Sequence, residues 1–208
     1  FLQRAMDQGI HDIALQNLPV IFLVDRAGLV GADGPTHHGV FDAGFLADVP
    51  NATIWNPRNG DELQAMMAKA ASVQDALEGP LFIRYPKAKT VCGTKENFEP
   101  LKWVSRQDSN SLLISTGALS SFVESEVFDH LHVGQVKPLP EGFSALLKDY
   151  DNILVLEEAT GVGGLFGAVA GLIADEDLEV KLVKRKISDE FTNHGNRHEL
   201  LQELGLIP

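Results

Sequence analysis

Val20-Ile-Phe-Leu-Val-Asp25, followed without a break by Arg26-Ala-Gly-Leu-Val-Gly-Ala-Asp-Gly-Pro-Thr-His-His-Gly39, decides the fold. The first run has the length and apolar composition of a parallel strand buried on both faces. The second is a glycine-rich loop, and in open α/β sheets the loops at the carboxyl ends of strands build the ligand crevice. It gathers Arg26, Asp33, His37 and His38 among four glycines and a proline. Such a loop can bring backbone N–H groups, a carboxylate and imidazoles to one bound molecule. A solvent-exposed connector does not need that combination, so we read a site here.

On either side of the loop, helix and strand alternate. Leu2, Met6, Ile10, Ile13 and Ala14 recur at helical spacing, which predicts a first helix ending near Asn17. The chain enters in mid-pattern with no initiator Met, and reads as part of something longer. A short helix follows the loop at 41–46, then a strand at 52–56 stopped by Pro57. Asn59 caps a helix whose first turn carries Asp61 and Glu62, where the helix dipole favours acid. Leu81-Phe-Ile-Arg-Tyr85 is a third strand, ended by Pro86. From 87 to 110 the pattern is lost, and the stretch reads as a linker with Trp103 as its anchor. Beyond it come a strand at 111–117, a helix from Glu141, a strand at 152–156, a small-residue helix, a strand at 178–183 and a helix near 197–204. This alternation implies two α/β units with mainly parallel sheets.

Bulk composition narrows the function. The chain has 208 residues, 44% hydrophobic and 22% charged, as expected of a globular protein with a sizeable core. A net charge of −12 argues against nucleic acid as the main partner. One cysteine, Cys92, excludes an intrachain disulfide and points to a reducing compartment. Nothing reads as a signal peptide or a membrane span. Gly161-Val-Gly-Gly-Leu-Phe-Gly-Ala-Val-Ala-Gly171 invites a dinucleotide reading but fails the required spacing, because Phe166 takes the third glycine's place. Close packing of a small-residue helix explains it better. Asp33, His37 and His38 are also chemically suited to a metal, although no further residues complete a ligand set.

Several strings occur in order: Phe1-Leu-Gln-Arg-Ala-Met-Asp-Gln, Asp25-Arg-Ala-Gly-Leu-Val-Gly-Ala-Asp-Gly-Pro-Thr-His-His-Gly39, Arg84-Tyr-Pro, Val136-Lys-Pro-Leu, Leu156-Glu-Glu and Glu199-Leu-Leu-Gln-Glu-Leu-Gly-Leu. Together they resemble the 1-deoxy-D-xylulose-5-phosphate synthase family of the transketolase superfamily, nearly end to end. The resemblance implies two three-layer α/β/α domains: residues 1–86 as part of a pyrimidine-binding domain and 111–208 as a transketolase C-terminal-like domain, joined by the linker at 87–110. It implies a thiamine-diphosphate- and Mg2+-dependent transferase that joins pyruvate to glyceraldehyde 3-phosphate with loss of carbon dioxide, for isoprenoid and thiamine synthesis. A homodimer in the cytoplasm, or in the plastid stroma of a plant, goes with that reading.

The resemblance also assigns roles. Phe1 matches the aromatic that packs on the cofactor's aminopyrimidine. Arg4, Arg26 and Arg84 match positions at or beside the acceptor phosphate, which guanidinium groups bind by paired hydrogen bonds. Asp33 and His37 match the pair that contacts the reacting substrates, and act as catalytic residues. His11 and His130 fall on helical stretches as surface or packing residues, and His194 receives no role. The diphosphate- and Mg2+-binding portion and the cofactor-activating glutamate precede the region seen here in the family, and neither Glu62 nor Glu78 replaces that glutamate. The chain by itself is therefore expected to be inactive. A transketolase, a pyruvate dehydrogenase beta subunit and a non-catalytic paralogue are the rival readings.

Overall fold

A computed structural model describes residues 2–90, 92–93, 96–160 and 163–208. Its first sheet is built on the quoted strand, β1 (Ile21–Asp25), with β2 (Thr53–Trp55) and β3 (Leu81–Tyr85), in the order β1-β3-β2 and all parallel. β3 takes the middle because Leu81, Phe82, Ile83 and even Arg84 are buried. β1 lies at the edge, with Leu23 half exposed. Ahead of β1, residues 2–14 are helical, passing from a 3-10 turn (Leu2–Ala5) through α1 (Met6–Gln8) into a π-helical stretch (Gly9–Ala14).

Helix α2 (Asp42–Ala47) follows the loop, and α3 (Gly60–Val73) joins β2 to β3. The start of α3 is set by Asn59, whose side chain accepts from Glu62 N at 2.9 Å. Its buried positions Glu62, Met66 and Ala70 recur every four residues, the stripe of a helix laid on a sheet. That stripe places a carboxylate in the interior, which becomes important below.

The second sheet contains β4 (Leu101–Ser105), β5 (Ser111–Ser115), β6 (Asp129–Val133), β8 (Asn152–Glu157) and β9 (Lys181–Lys186), in the order β4-β6-β5-β8-β9. Only β4 runs antiparallel. The short strand β7 (Gln135–Lys137) leaves this unit and pairs antiparallel with β2, so the chain crosses back to the first sheet. One apolar core accordingly contains Val24, Ile54 and Phe82 from the first sheet and Leu112, Ile114 and Leu131 from the second. Helices α4 (Phe143–Leu147), α5 (Gly164–Asp175) and α6 (Arg197–Glu203) complete the second unit.

Three expectations are corrected. The stretch 87–110 is not pattern-free, because Leu101–Ser105 forms β4 against β6. His130 lies on β6 rather than on a helix, and is buried. The last strand begins at Lys181 rather than Leu178: Leu178 N and Val180 N are held by Ile173 O and Leu178 O, in the turn that leaves α5. A strand of Lys181-Leu-Val-Lys-Arg-Lys186 reads as polar because it lies at a solvated edge, where charge discourages pairing with other chains.

Close packing, not nucleotide binding, accounts for the glycines around α5. A Cβ on Gly163 would stand 2.4 Å from Gly44 Cα in α2. The start of α5 is already filled by a side chain of the protein itself, since the Glu157 carboxyl accepts from Leu165 N at 2.9 Å and Phe166 N at 3.1 Å. Gly163→Ala should therefore force α2 and α5 apart and cost about 1–3 kcal/mol, the usual penalty of overpacking. Gly44→Ala, whose Cβ would meet nothing within 4 Å, should be tolerated. Urea denaturation of the two variants checks the contrast.

Candidate functional site

The quoted loop leaves β1 through Arg26, held in the left-handed region at φ 68°. Ala27 N still donates to Tyr85 O at 3.0 Å, so the β1–β3 ladder runs to the loop's root. Gly28 and Gly39 then exchange two backbone hydrogen bonds of 2.8 Å, closing the loop at a neck. Beyond the neck a 3-10 turn (Gly31–Asp33) turns the chain, and His37 N donates to Gly34 O at 3.0 Å. The loop is thus a fixed shape, with its side chains directed from a rigid base.

Asp33 lies on the exposed side of this loop and meets Lys87 Nζ at 2.6 Å. That hydrogen bond, aided by the charges of Lys87, His37 and Arg26, holds the Asp33 carboxyl below the usual range despite a smaller opposing effect of desolvation. Asp33 is therefore an anion with imidazole and guanidinium beside it. His37 is half-buried, with Nδ1 2.9 Å from Thr36 Oγ1. A cleft of about 340 Å³ opens here, and its lining includes the apolar Leu2, Phe22, Val24 and Phe41 together with Arg26 and His37. Arg26 pairs with Asp25, while its Nε is buried with no hydrogen-bond partner among the described residues.

His38 faces inward. Its Nδ1 accepts from Val30 N at 3.1 Å, so its proton sits on Nε2, 3.4 Å from Asn193 O. Burial lowers its pKa and keeps it neutral at pH 7. With both nitrogens engaged, His38 is no metal ligand, and no group of three or more His, Cys, Asp or Glu suited to a metal occurs among the described residues.

Comparison with known proteins places this geometry. The model of the transketolase pyrimidine-binding domain matches residues 1–91. A 1-deoxy-D-xylulose-5-phosphate synthase of Thermotoga petrophila is 38% identical over 99% of this chain, and one of Clostridium tetani is 37% identical over the same share. The chain belongs to the 1-deoxy-D-xylulose-5-phosphate synthase family. It spans 35% of the length of these curated relatives. In fold it matches a solved split-gene transketolase, described as an inactive beta4 tetramer, with a TM-score of 0.82 at 22% identity, covering 99% of this chain and 69% of that one.

Of the residues expected to form a synthase-type site, the structure gathers Arg26, Asp33 and His37. Arg4 is exposed in the first helical turn, two residues from Leu2 in the cleft wall. Phe1 lies outside the described residues. Arg84 is buried and turned onto Asp42, donating from Nε at 3.1 Å and from Nη2 at 2.7 Å. Its remaining bonds go to Asn56 Oδ1 at 3.1 Å and Gly39 O at 3.3 Å. Burial works against its charge, but the Asp42 carboxylate more than offsets this and keeps it protonated. The guanidinium fork is thus spent on the neck of the loop and on α2.

Sequence reasoning missed Lys87, Asp42 and a buried polar chain. The basic residue directly after Arg84-Tyr-Pro was the available signal for Lys87. Asp42 gave none, because an acid in the first turn of a helix is ordinary. The polar chain runs from Glu62 to His132 Nε2 (3.0 Å), His132 Nδ1 to Ser120 Oγ (2.7 Å), Ser120 to Ser115 (2.7 Å) and Ser115 to His130 Nε2 (2.6 Å). Its Ser–His–Glu order resembles a hydrolase triad. All five residues are at most 2% exposed, so no substrate reaches them and the chain is structural.

Two outcomes follow from these buried groups. Asp42→Ala leaves Arg84 charged and unpaired in the interior and should cost about 3–5 kcal/mol, measured as a fall in the urea midpoint. Burial, with His132 adding, pushes the His130 pKa down from 6.5 to about 4. Between those values the unfolded chain binds a proton that the folded chain refuses, so stability is full above pH 6.5 and falls as pH drops towards 4. In His130→Gln the slope of unfolding free energy against pH across that window should be shallower, whatever the variant's stability at pH 7.

Proposed function

We propose that this chain is the segment of a thiamine-diphosphate-dependent synthase that supplies one wall of the cofactor cleft and the loop acting on the substrates. The reaction joins pyruvate to glyceraldehyde 3-phosphate, releases carbon dioxide and gives 1-deoxy-D-xylulose 5-phosphate for isoprenoid synthesis. One observation carries the reading: the loop at the carboxyl end of β1 sets His37 and Arg26 in the lining of a cleft that Leu2, Phe22 and Val24 also line, with the Asp33 anion close to both charges.

The residues present suit the pyrimidine half of thiamine diphosphate. Leu2, Phe22 and Val24 offer apolar surface, and the Arg26 Nε, buried without a hydrogen-bond partner among the described residues, is a donor awaiting an acceptor. When bound, the cofactor supplies stabilisation of a carbanion, and the protein supplies orientation and proton management. His37 would give or take a proton at a substrate oxygen, as an imidazole can near neutral pH. Asp33, kept ionised by Lys87, would accept hydrogen bonds from substrate hydroxyls. Arg26 and Arg4 would hold the acceptor phosphate, and Arg84 would shape the loop that presents them. The family reading assigns the metal and the diphosphate to a portion of the enzyme that precedes the region seen here.

In this reading residues 1–86 and 111–208 are the pyrimidine-binding and C-terminal-like domains, with 87–110 as the connection that also contributes β4. Inactivity of the segment alone, a homodimer and a cytoplasmic or stromal location follow from the family reading. No helix among the described residues is long and apolar enough to cross a membrane.

The test is product analysis of the complete enzyme with pyruvate and glyceraldehyde 3-phosphate. The expected product is 1-deoxyxylulose 5-phosphate, and acyl transfer to a lipoyl acceptor instead would overturn the reading. In the same enzyme His37→Ala should lower turnover by about 10²–10⁴-fold, the usual worth of a positioned acid–base group, with thiamine diphosphate still bound. Near-normal turnover would remove His37 from the reaction.

A further inference from the structure

We propose that Glu158 and the segment 193–197, from the far end of the chain, form a clamp whose side chains are positioning residues for the catalytic loop. This rests on the function proposed above. The centre of the clamp is Leu29, fully buried one residue past the loop's neck. Leu29 N donates to Glu158 Oε2 at 2.9 Å, and Leu29 O accepts from Arg197 Nε at 2.9 Å. Arg197 Nη2 in turn pairs with Glu158 Oε1. A single, nearly buried ion pair therefore satisfies both backbone groups of one loop residue. The planar fork of arginine permits this, since it can direct one N–H to a carboxylate and another to a carbonyl.

The grip continues along the loop. Gly195 N donates to Gly31 O at 3.3 Å, and His38, which accepts from Val30 N, reaches Asn193 O through Nε2. Two of the loop's glycines are explained by this approach. At Gly28 (φ 76°) a Cβ would stand 2.3 Å from Glu158 Oε2, and at Gly31 (φ 76°) 2.9 Å from Gly195 O. Both positions combine a left-handed backbone with a neighbour too close for any side chain.

The clamp holds the inner arm of the loop, residues 29–31, together with His38. Asp33 and His37 lie between these held positions in the chain, so the clamp sets where the reactive residues stand. The apolar wall of the cleft comes from β1 and the first helical turn, which the clamp does not hold. Loosening it should displace the tip and slow the reaction while leaving cofactor binding largely intact, because misplacement of about an ångström can cost on the order of 10²-fold.

The experiment uses the complete enzyme carrying Arg197→Met, Arg197→Lys or Glu158→Gln. Lysine keeps the charge but cannot bond Glu158 and Leu29 O together through a rigid fork, so it decides the matter should Arg197→Met fail to fold. Expected in Arg197→Lys is faster amide exchange across 28–39, by about tenfold or more, with β5 and β8 unchanged. Turnover should fall about 10–100-fold, and the apparent Kd for thiamine diphosphate should move less than twofold. Glu158→Gln, which keeps an acceptor for Leu29 N, should fall between Arg197→Lys and the parent. Unchanged exchange in the loop, a uniform rise through β5 and β8, or an altered cofactor Kd with normal turnover would each overturn the proposal. Failure of the parent enzyme to make the deoxyxylulose product would refute the function proposed above, and loop exchange in the variants would still decide the clamp.

Discussion

The burial of the Arg84 guanidinium is the constraint on which the rest of the structure depends. A charge in an interior is tolerable only when its donors are met by good geometry. Meeting them recruits Asp42 from α2, Gly39 from the neck of the loop and Asn56 from the end of β2. Asn56 extends the chain: its Nδ2 donates to Thr116 Oγ1 at 3.0 Å, and Thr116 donates to Val133 O at 2.7 Å. One side chain on the central strand of the first sheet thus connects the glycine-rich loop, the helix after it and the carboxyl end of β5 in the second sheet. Because each link is buried, none can be exchanged for water without leaving a polar group unsatisfied.

That constraint also explains how the two sheets share a core. In both, the parallel strands carry their functional ends into the same region. The water-sized space left between them is lined by Arg84, Asn56, Thr116, Glu157 and Glu158. Glu157 serves the start of α5 and Glu158 serves the loop. Two adjacent carboxylates at the end of one strand therefore fasten two different elements, and burial pushes the pKa of each upward while their backbone and cationic partners pull it back.

Legibility in the sequence followed the physics of burial. β3, β5 and β8 were read from continuous apolar runs, because strands covered on both faces leave that signature; β1 gave the same apolar run although it lies at the edge with Leu23 half exposed. β6 was missed, although every residue of Asp129-His-Leu-His-Val133 is buried. Its polar side chains are paid for by Ser115, Ser120, Glu62 and Tyr150, which lie elsewhere in the sequence. β4 was missed because an antiparallel edge strand, half-buried throughout, carries no strong pattern. In the candidate site, the grouping of Arg26, Asp33 and His37 was legible because one loop carries them all; the roles proposed for them rest on the family reading. Arg84 was placed on β3, but its bond to Asp42 was not legible, since an arginine that binds an external phosphate and one that binds an internal aspartate look the same in a string. The contact of Leu29 with Arg197, 168 residues away, was out of reach of any local pattern.

The free edges of the two sheets differ in kind. β9 presents Lys181, Lys184, Arg185 and Lys186, and Lys184 and Lys186 also lie over the Phe166 ring at 5.4 Å and 5.8 Å. Bringing another strand against that row would force cations together and strip them of water, so β9 is a guarded border. β1 offers Ile21, Phe22, Leu23 and Val24, with its unpaired backbone groups directed outward and no cation among them. The two borders therefore differ in how they meet water, since β9 holds a hydrated row of cations and β1 an apolar margin. The cleft lined by Phe22, Leu23 and Val24 lies along the second kind.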